Sequence, residues 1–348
     1  MKKNICNVVA MALSAVSLLA LLSGCGSTPS ADNPSPAPAS SSSDPANSGE
    51  DKAVDYPTKN INLTVPYDAG SATDIRARIL AQAISDKLGQ TVTVTNLPGA
   101  AGTVGATDFF MKTADPHEIL VVGVAAMTTA PLTNPSLPYV FEDFKVVGAM
   151  DQEEQILYVC PGQSGINSFE DLVAAGQSRT VKYGGGGPTA ANDIIQAATY
   201  KLAGMKYESI VSNSTSQRIT DVLGGSSDVT VAPPASGAEF VKSGELLPIA
   251  VLSEEDYTGF DGITVPSLNS LGYDFLFNAY NMILVKGDVD DAYISLLYDT
   301  LQEIYASEDY QQKAADMGMN ICTDDPEAVK ATIDKTIEGF KEMLEIIG

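Results

Sequence analysis

Tryptophan is absent from the 348 residues, histidine occurs once and cysteine four times. Each scarcity removes a class of chemistry. A single imidazole, His117, leaves no Cys/His cluster with zinc spacing, so neither a metal nor a cofactor is expected. Hydrolysis by an activated nucleophile needs a base and an orienting partner. No Gly-x-Ser-x-Gly elbow accompanies the lone histidine, and the chain is not expected to be an enzyme. His117 itself reads as an exposed residue of the turn Asp115-Pro116-His117. Basic residues are also few, 20 against 44 acidic, for a net charge of −24. Nucleic acid binding requires a basic face and is excluded. Direct docking on an anionic lipid surface is disfavoured on the same ground.

Long apolar runs are missing except at the start. Lys2 and Lys3 precede an apolar stretch from Val8 to Leu22, as an export signal requires. The stretch is short for a membrane span, which needs about 20 apolar residues. It closes on Leu22-Ser23-Gly24-Cys25, which resembles a bacterial lipobox. That resemblance implies removal of residues 1–24 and a lipid on Cys25. The folded part would then work outside the cytoplasm, held to the cell membrane. Residues 25–54 are rich in Ser, Pro, Ala and Asn, too poor in large apolar groups to offset chain entropy, and read as a disordered tether. Removing Lys2 and Lys3 leaves 18 basic residues against 44 acidic, a mature charge of −26. Cys160 and Cys322 remain beside apolar runs; they either pair or act as small buried hydrophobes.

From Tyr56 onward short apolar runs alternate with helical periodicity. Strands are predicted over 61–65, 91–95, 119–124, 146–150, 156–160, 181–183, 209–211, 229–231, 249–252 and 281–285. Helices are predicted over 74–88, 190–202, 217–223, 291–307, 310–317 and 326–347, with another running through Phe109 and Phe110. This alternation predicts mostly parallel α/β sheets covered on both faces.

Several strands end in turns of Gly, Ser and Thr that open helices: 67–74, 98–105, 125–129, 184–190 and 211–216. The first turn of a helix has N–H groups without internal partners and the positive end of the helix dipole. Small residues let a ligand approach that backbone. Such loops are expected to hold a carboxylate without any basic side chain, and no arginine clamp marks how many carboxylates are held. Their recurrence in two halves points to a cleft between two domains.

The motifs Tyr56-Pro57-Thr58-Lys59, Val65-Pro66-Tyr67-Asp68-Ala69-Gly70-Ser71-Ala72-Thr73-Asp74 and Arg76-Ala77-Arg78 resemble the opening of the tripartite tricarboxylate transporter receptors, also called the TctC or Bug family. Leu88-Gly89-Gln90, Asn96-Leu97-Pro98-Gly99-Ala100-Ala101-Gly102, Leu137-Pro138-Tyr139 and Leu223-Gly224-Gly225 continue the match in order, to about residue 346. The resemblance implies a type II periplasmic-binding-protein-like fold: two α/β lobes with a ligand cleft between them. Lobe 1 would be 55–152 with 254–348, lobe 2 153–253, with hinges near 150–155 and 250–256. It also implies capture of a small organic acid and delivery to a tripartite tricarboxylate-type membrane permease. Carried over by position, the ligand contacts would be Tyr67, Ala69, Gly70, Ser71, Thr73 and Thr128 in lobe 1. In lobe 2 they would be Gly186, Gly187, Thr189, Ala190, Ser212, Ser214 and Thr215. Asp74 reads as a helix cap.

Departures leave the ligand open. Asp68 and Ser71 replace small residues, Asp193 stands where the family commonly has His, and Ser212-Asn213-Ser214 replaces Tyr-Lys-Gly. Asp68 either faces solvent or points inward, where it would pair an ammonium and favour an amino acid or other zwitterion. A receptor that senses its ligand for signalling would use the same closure as one that feeds a permease.

Overall fold

The computed structural model describes residues 55–348 except 213 and 276. The export signal, Cys25, the tether and Asn213 therefore lie outside the described residues. None of the described helices is long and apolar enough to cross a membrane.

Among the described residues twelve strands form two five-stranded sheets and a hairpin. The first sheet has β1 (Ile61–Val65), β2 (Val92–Asn96), β3 (Glu118–Gly123), β4 (Phe144–Glu153) and β12 (Ala279–Lys286), in the order β2-β1-β3-β12-β4. The second has β5 (Ile156–Val159), β6 (Thr180–Gly185), β7 (Lys206–Val211), β8 (Val229–Ala232) and β9 (Leu247–Val251), in the order β7-β6-β8-β5-β9. The hairpin is β10 (Tyr257–Phe260) with β11 (Ile263–Val265). The helices in chain order are α1 (Ala72–Leu88), α2 (Thr103–Met111), α3 (Thr129–Thr133), α4 (Pro161–Ser164), α5 (Phe169–Ser178), α6 (Ala191–Leu202), α7 (Thr215–Leu223), α8 (Pro234–Ser243), α9 (Asp291–Tyr305), α10 (Glu308–Asp316) and α11 (Pro326–Ile347).

The two sheets follow one plan. In each, three strands run parallel, and a fourth, antiparallel to its neighbours, joins them to a fifth. That fourth strand is β12 in the first sheet and β5 in the second, each the first strand the chain places in that sheet after crossing from the other. The sheets are therefore mixed, where the strand–helix alternation predicts mostly parallel ones. Crossing reverses the chain direction, which local periodicity does not encode.

Local chemistry sets the helix ends. Ser71 caps α1 by accepting from the Asp74 amide at 3.3 Å, and Gly89 ends it at φ 69°, which glycine adopts without steric cost. Ser168, Ser214, Asp290, Ser307 and Asp325 cap α5, α7, α9, α10 and α11 in the same way.

The lobe boundary expected at 254 moves. Phe260 and Val265 of the hairpin pack in one cluster with Ile156, Tyr158 and Val251, and Tyr273 stacks edge-on against Phe169 of α5. Residues 257–275 thus sit with the second sheet, and the chain returns to the first only near Phe277–Ala279. The chain therefore crosses back after residue 275 rather than within 250–256, because apolar residues of the hairpin find their burial on the second sheet.

Helix α11 packs on α6 of the second lobe and on β4 and α3 of the first. Its Val329, Ile333, Phe340 and Met343 join the cluster that holds both Leu120 and Ile194. Cys160 and Cys322 are buried and unpaired, and burial pushes the Cys322 thiol up to about 12. His117 is not the exposed turn residue expected. It is 7% exposed, its Nε2 accepts from the Thr58 amide at 3.1 Å, and its Nδ1 contacts Asp115 Oδ1 at 2.9 Å. It ties the first strand's entry to the start of β3.

Candidate ligand cleft

Six parallel strands, β1, β2 and β3 in one lobe and β6, β7 and β8 in the other, aim their C-terminal ends at the space between the lobes. A cleft of about 780 Å³ lies there, within the range of small-molecule sites. From the first lobe it is lined by Ala100, Ala101 and Thr103 after β2, then Ala125, Thr129, Ala130, Thr133, Asn134 and Leu137 after β3. From the second lobe come Gly186, Thr189, Ala190, Ala191 and Asn192 after β6, Thr215 and Arg218 on α7, and Pro233 after β8. Gln155, Phe277 and Ala279 line it where the chain passes between lobes. Loops after five of the six strands contribute; the loop after β1 does not.

That exception concerns Tyr67, Ala69, Gly70, Ser71 and Thr73, none of which lines the cleft. Their polar groups are spent locally. Tyr67 is wedged between two glycines: the Gly123 amide donates to its Oη at 3.0 Å, and a Cβ on Gly102 would meet the ring at 3.2–3.3 Å. Gly70 donates its amide to Asp74 at 2.8 Å, Ser71 caps α1, and Thr73 bonds Asn281 at 3.2 Å. The turn 99–102 lies across Tyr67 and fronts the cleft instead. Ala100 and Ala101 in that turn both hold left-handed φ, 45° and 53°, a costly conformation for residues bearing a Cβ.

In the second lobe Gly186, Thr189, Ala190 and Thr215 line the cleft, while Gly187, Ser212 and Ser214 do not. Asp193 explains the first: its Oδ2 accepts the Gly187 amide at 3.0 Å and its Oδ1 the Ser209 hydroxyl at 2.7 Å. Ser212 donates its hydroxyl to Asp221 at 2.7 Å, and Ser214 caps α7. Thr128 is buried and donates to the Val124 carbonyl, so its neighbour Thr129 takes the cleft position. Asp68 is exposed and outside the lining.

A grip without any basic side chain is not what the cleft presents. Arg218 lines it, one turn along α7 from Thr215, whose Oγ1 accepts from Arg218 Nη2 at 3.0 Å. Its Nε is buried with no hydrogen-bond partner among the described residues. Burial lowers the guanidinium pKa, more than the attraction of Asp193 raises it. The signal was present in the sequence: residues 215 and 218 are three apart, hence on one helical face.

Behind the first-lobe loop lies a buried polar chain. Asp151, fully buried, accepts from Arg76 Nη1 at 3.2 Å and Asn281 Nδ2 at 2.7 Å, and Arg76 Nη2 reaches Glu153 at 2.7 Å. Burial raises the Asp151 pKa despite the guanidinium beside it.

Two α/β lobes facing each other across a cleft, with loops from parallel strands on both walls, define a solute-binding protein. Residues 76–348 match the model of the tripartite tricarboxylate transporter family receptors, and the chain belongs to that family. It is similar to protein BugT of Bordetella pertussis, 26% identical over 302 residues, spanning 84% of this chain and 90% of BugT. Among solved structures it resembles a TctC solute-binding protein from Polaromonas with TM-score 0.74, at 23% identity, over 83% of this chain and 99% of that one. An R. palustris protein solved with adipate gives TM-score 0.69 at 18% identity, over 84% and 99%. MatC from Rhodopseudomonas palustris with bound malate gives 0.65 at 16%, over 83% and 99%. The family consists of extracytoplasmic substrate-binding proteins, not enzymes.

Proposed function

We propose that the protein captures a small organic acid in the interlobe cleft and delivers it to a tripartite tricarboxylate-type permease. The observation that carries this reading is a cleft walled by both lobes into which an arginine with an unpartnered nitrogen is built. A buried guanidinium nitrogen left without a partner is costly, and a carboxylate oxygen accepts the bond it offers. The acids bound by the R. palustris relatives, adipate and malate, fit the same chemistry. Capture works by hinge closure, each lobe contributing one wall so that closing removes the ligand from water. The zwitterion reading loses its support, because Asp68 is outside the lining and no other carboxylate of the described residues faces the cleft. The lipobox-like Leu22-Ser23-Gly24-Cys25 supports, separately, a lipid on Cys25 that holds the protein at the cell membrane.

Thermal denaturation against a panel of organic acids tests the binding claim. A ligand at 100 times its Kd adds about 2.7 kcal/mol of stability; no shift with any acid would remove the reading. Delivery is tested by uptake of the labelled ligand in cells lacking the protein, which should fall. Cys25→Ala should move the protein out of the membrane fraction.

A further inference from the structure

The segments that carry the chain between the lobes, around 154–155 and 277–280, turn their side chains alternately into two cavities. Gln155, Phe277 and Ala279 line the ligand cleft, whereas Glu154, Asn278 and Tyr280 line a second cavity of about 470 Å³. Extended backbone sends successive side chains to opposite faces, so the second cavity lies behind the crossing, on the face away from the cleft. Residues 253–257 and α11 at Thr332 and Lys335 complete its walls.

These walls offer acceptors. Glu154, Glu255 and Asp256 line the cavity and pair with no cation among the described residues; the one base present, Lys335, is answered by Glu254. Asp256 is held by the Ser267 amide at 2.7 Å and the Ser270 hydroxyl at 3.1 Å, both donating to Oδ1 and neither to Oδ2. The Asn278 side-chain oxygen is fully buried and has no hydrogen-bond partner among the described residues. A buried acceptor left unpaired is costly, and a donor relieves it. Two rings add aromatic surface: Tyr280, 4% exposed, and Tyr257, whose pKa is raised by burial and then by the charge of Glu154. Carboxylates beside aromatic faces suit a cation with an apolar body. A bare metal ion fits less well, since no group of three or more carboxylate, thiol or imidazole side chains among the described residues converges to hold one.

We infer that this cavity is a second binding site, one for a primary organic ammonium ion: Glu154, Glu255 and Asp256 supply the countercharge, Asn278 accepts a hydrogen bond, and Tyr257 and Tyr280 cover the hydrocarbon. The site shares no lining residue with the ligand cleft and does not depend on which acid the cleft takes.

Calorimetric titration of the protein with butylammonium and with butane-1,4-diammonium tests it, with butan-1-ol as the uncharged control and potassium chloride holding the ionic strength constant. At least one of the two ammonium ions should bind saturably, and butan-1-ol should not. Glu154→Gln together with Glu255→Gln should weaken that binding about tenfold or more while the far-ultraviolet circular dichroism stays native. Glu170→Gln together with Glu239→Gln removes two exposed carboxylates of α5 and α8 outside the lining, and should leave the affinity as it was. No saturable binding of either ammonium ion overturns the site. So does equal weakening in both double variants, which would be attraction to a broadly acidic surface, or a Glu154→Gln, Glu255→Gln protein that binds like the parent. Acid binding in the cleft is measured separately and stands or falls by itself.

Discussion

Two aspartates hold the glycine turns that open α1 in the first lobe and α6 in the second. Asp74, third in α1, takes the amide of Gly70; Asp193, third in α6, takes that of Gly187. Each carboxylate occupies the positive helix start that a ligand would otherwise seek. The turn carrying Asp193 is packed to the limit: a Cβ on Gly185 would stand 2.1–2.4 Å from the Asp193 carboxyl atoms. Gly185→Ala must displace that carboxylate and break its bonds to Gly187 and Ser209. A loss of about 2–4 kcal/mol in urea denaturation is expected from overpacking and unpaired donors together. An unchanged midpoint would mean that the carboxylate does not hold the turn.

Helix α11 binds the two lobes together from outside the cleft. Phe340, fully buried, meets Phe277 at 5.6 Å between ring centroids, close to where the chain passes between sheets. Phe340→Ala should cost about 3–5 kcal/mol, the range for emptying a buried aromatic site; a loss under 1 kcal/mol would show the helix to be a loose appendage. Element positions were largely legible in the sequence. The helix at 326–347 starts as predicted because Asp325 caps it and Pro326 opens it. The strand at 61–65 stops at Pro66, which has no amide to give a sheet. Three things were not legible. The β10–β11 hairpin and helices α3, α4, α5 and α8 were not expected from the sequence. The direction of β5 and β12 depends on crossings between lobes. The withdrawal of Tyr67, Ser71 and Thr73 from the cleft depends on the turn at 99–102, some thirty residues away. The motif resemblance implies that loop as a ligand wall and does not extend to Arg218.

At the scale of the molecule, acidity sets the pH response. Burial works to raise Asp74, Asp115 and Asp228, but hydrogen bonds outweigh it. Those bonds come from Arg78 and the Gly70 amide, from Lys59 and His117, and from Arg179. All three lie below the ordinary value of 3.8, Asp115 at about 2. Groups whose folded pKa is depressed stabilise the fold fully above the unfolded value and lose that contribution as pH falls through the folded one. Urea midpoints should therefore hold near neutrality and drop steeply from about pH 4 to pH 2. A flat profile across that window would contradict the ion pairs described. Near pH 7 the raised Cys322 thiol stays protonated and buried, so alkylation of the native protein should spare it until the chain unfolds.

The most direct measurement is a crystal structure of the protein with the tightest acid of the panel. The account predicts the carboxylate against Arg218 and both lobes in contact with one molecule. An acid lodged at another surface, or held by one lobe while Arg218 stays unpartnered, would contradict it.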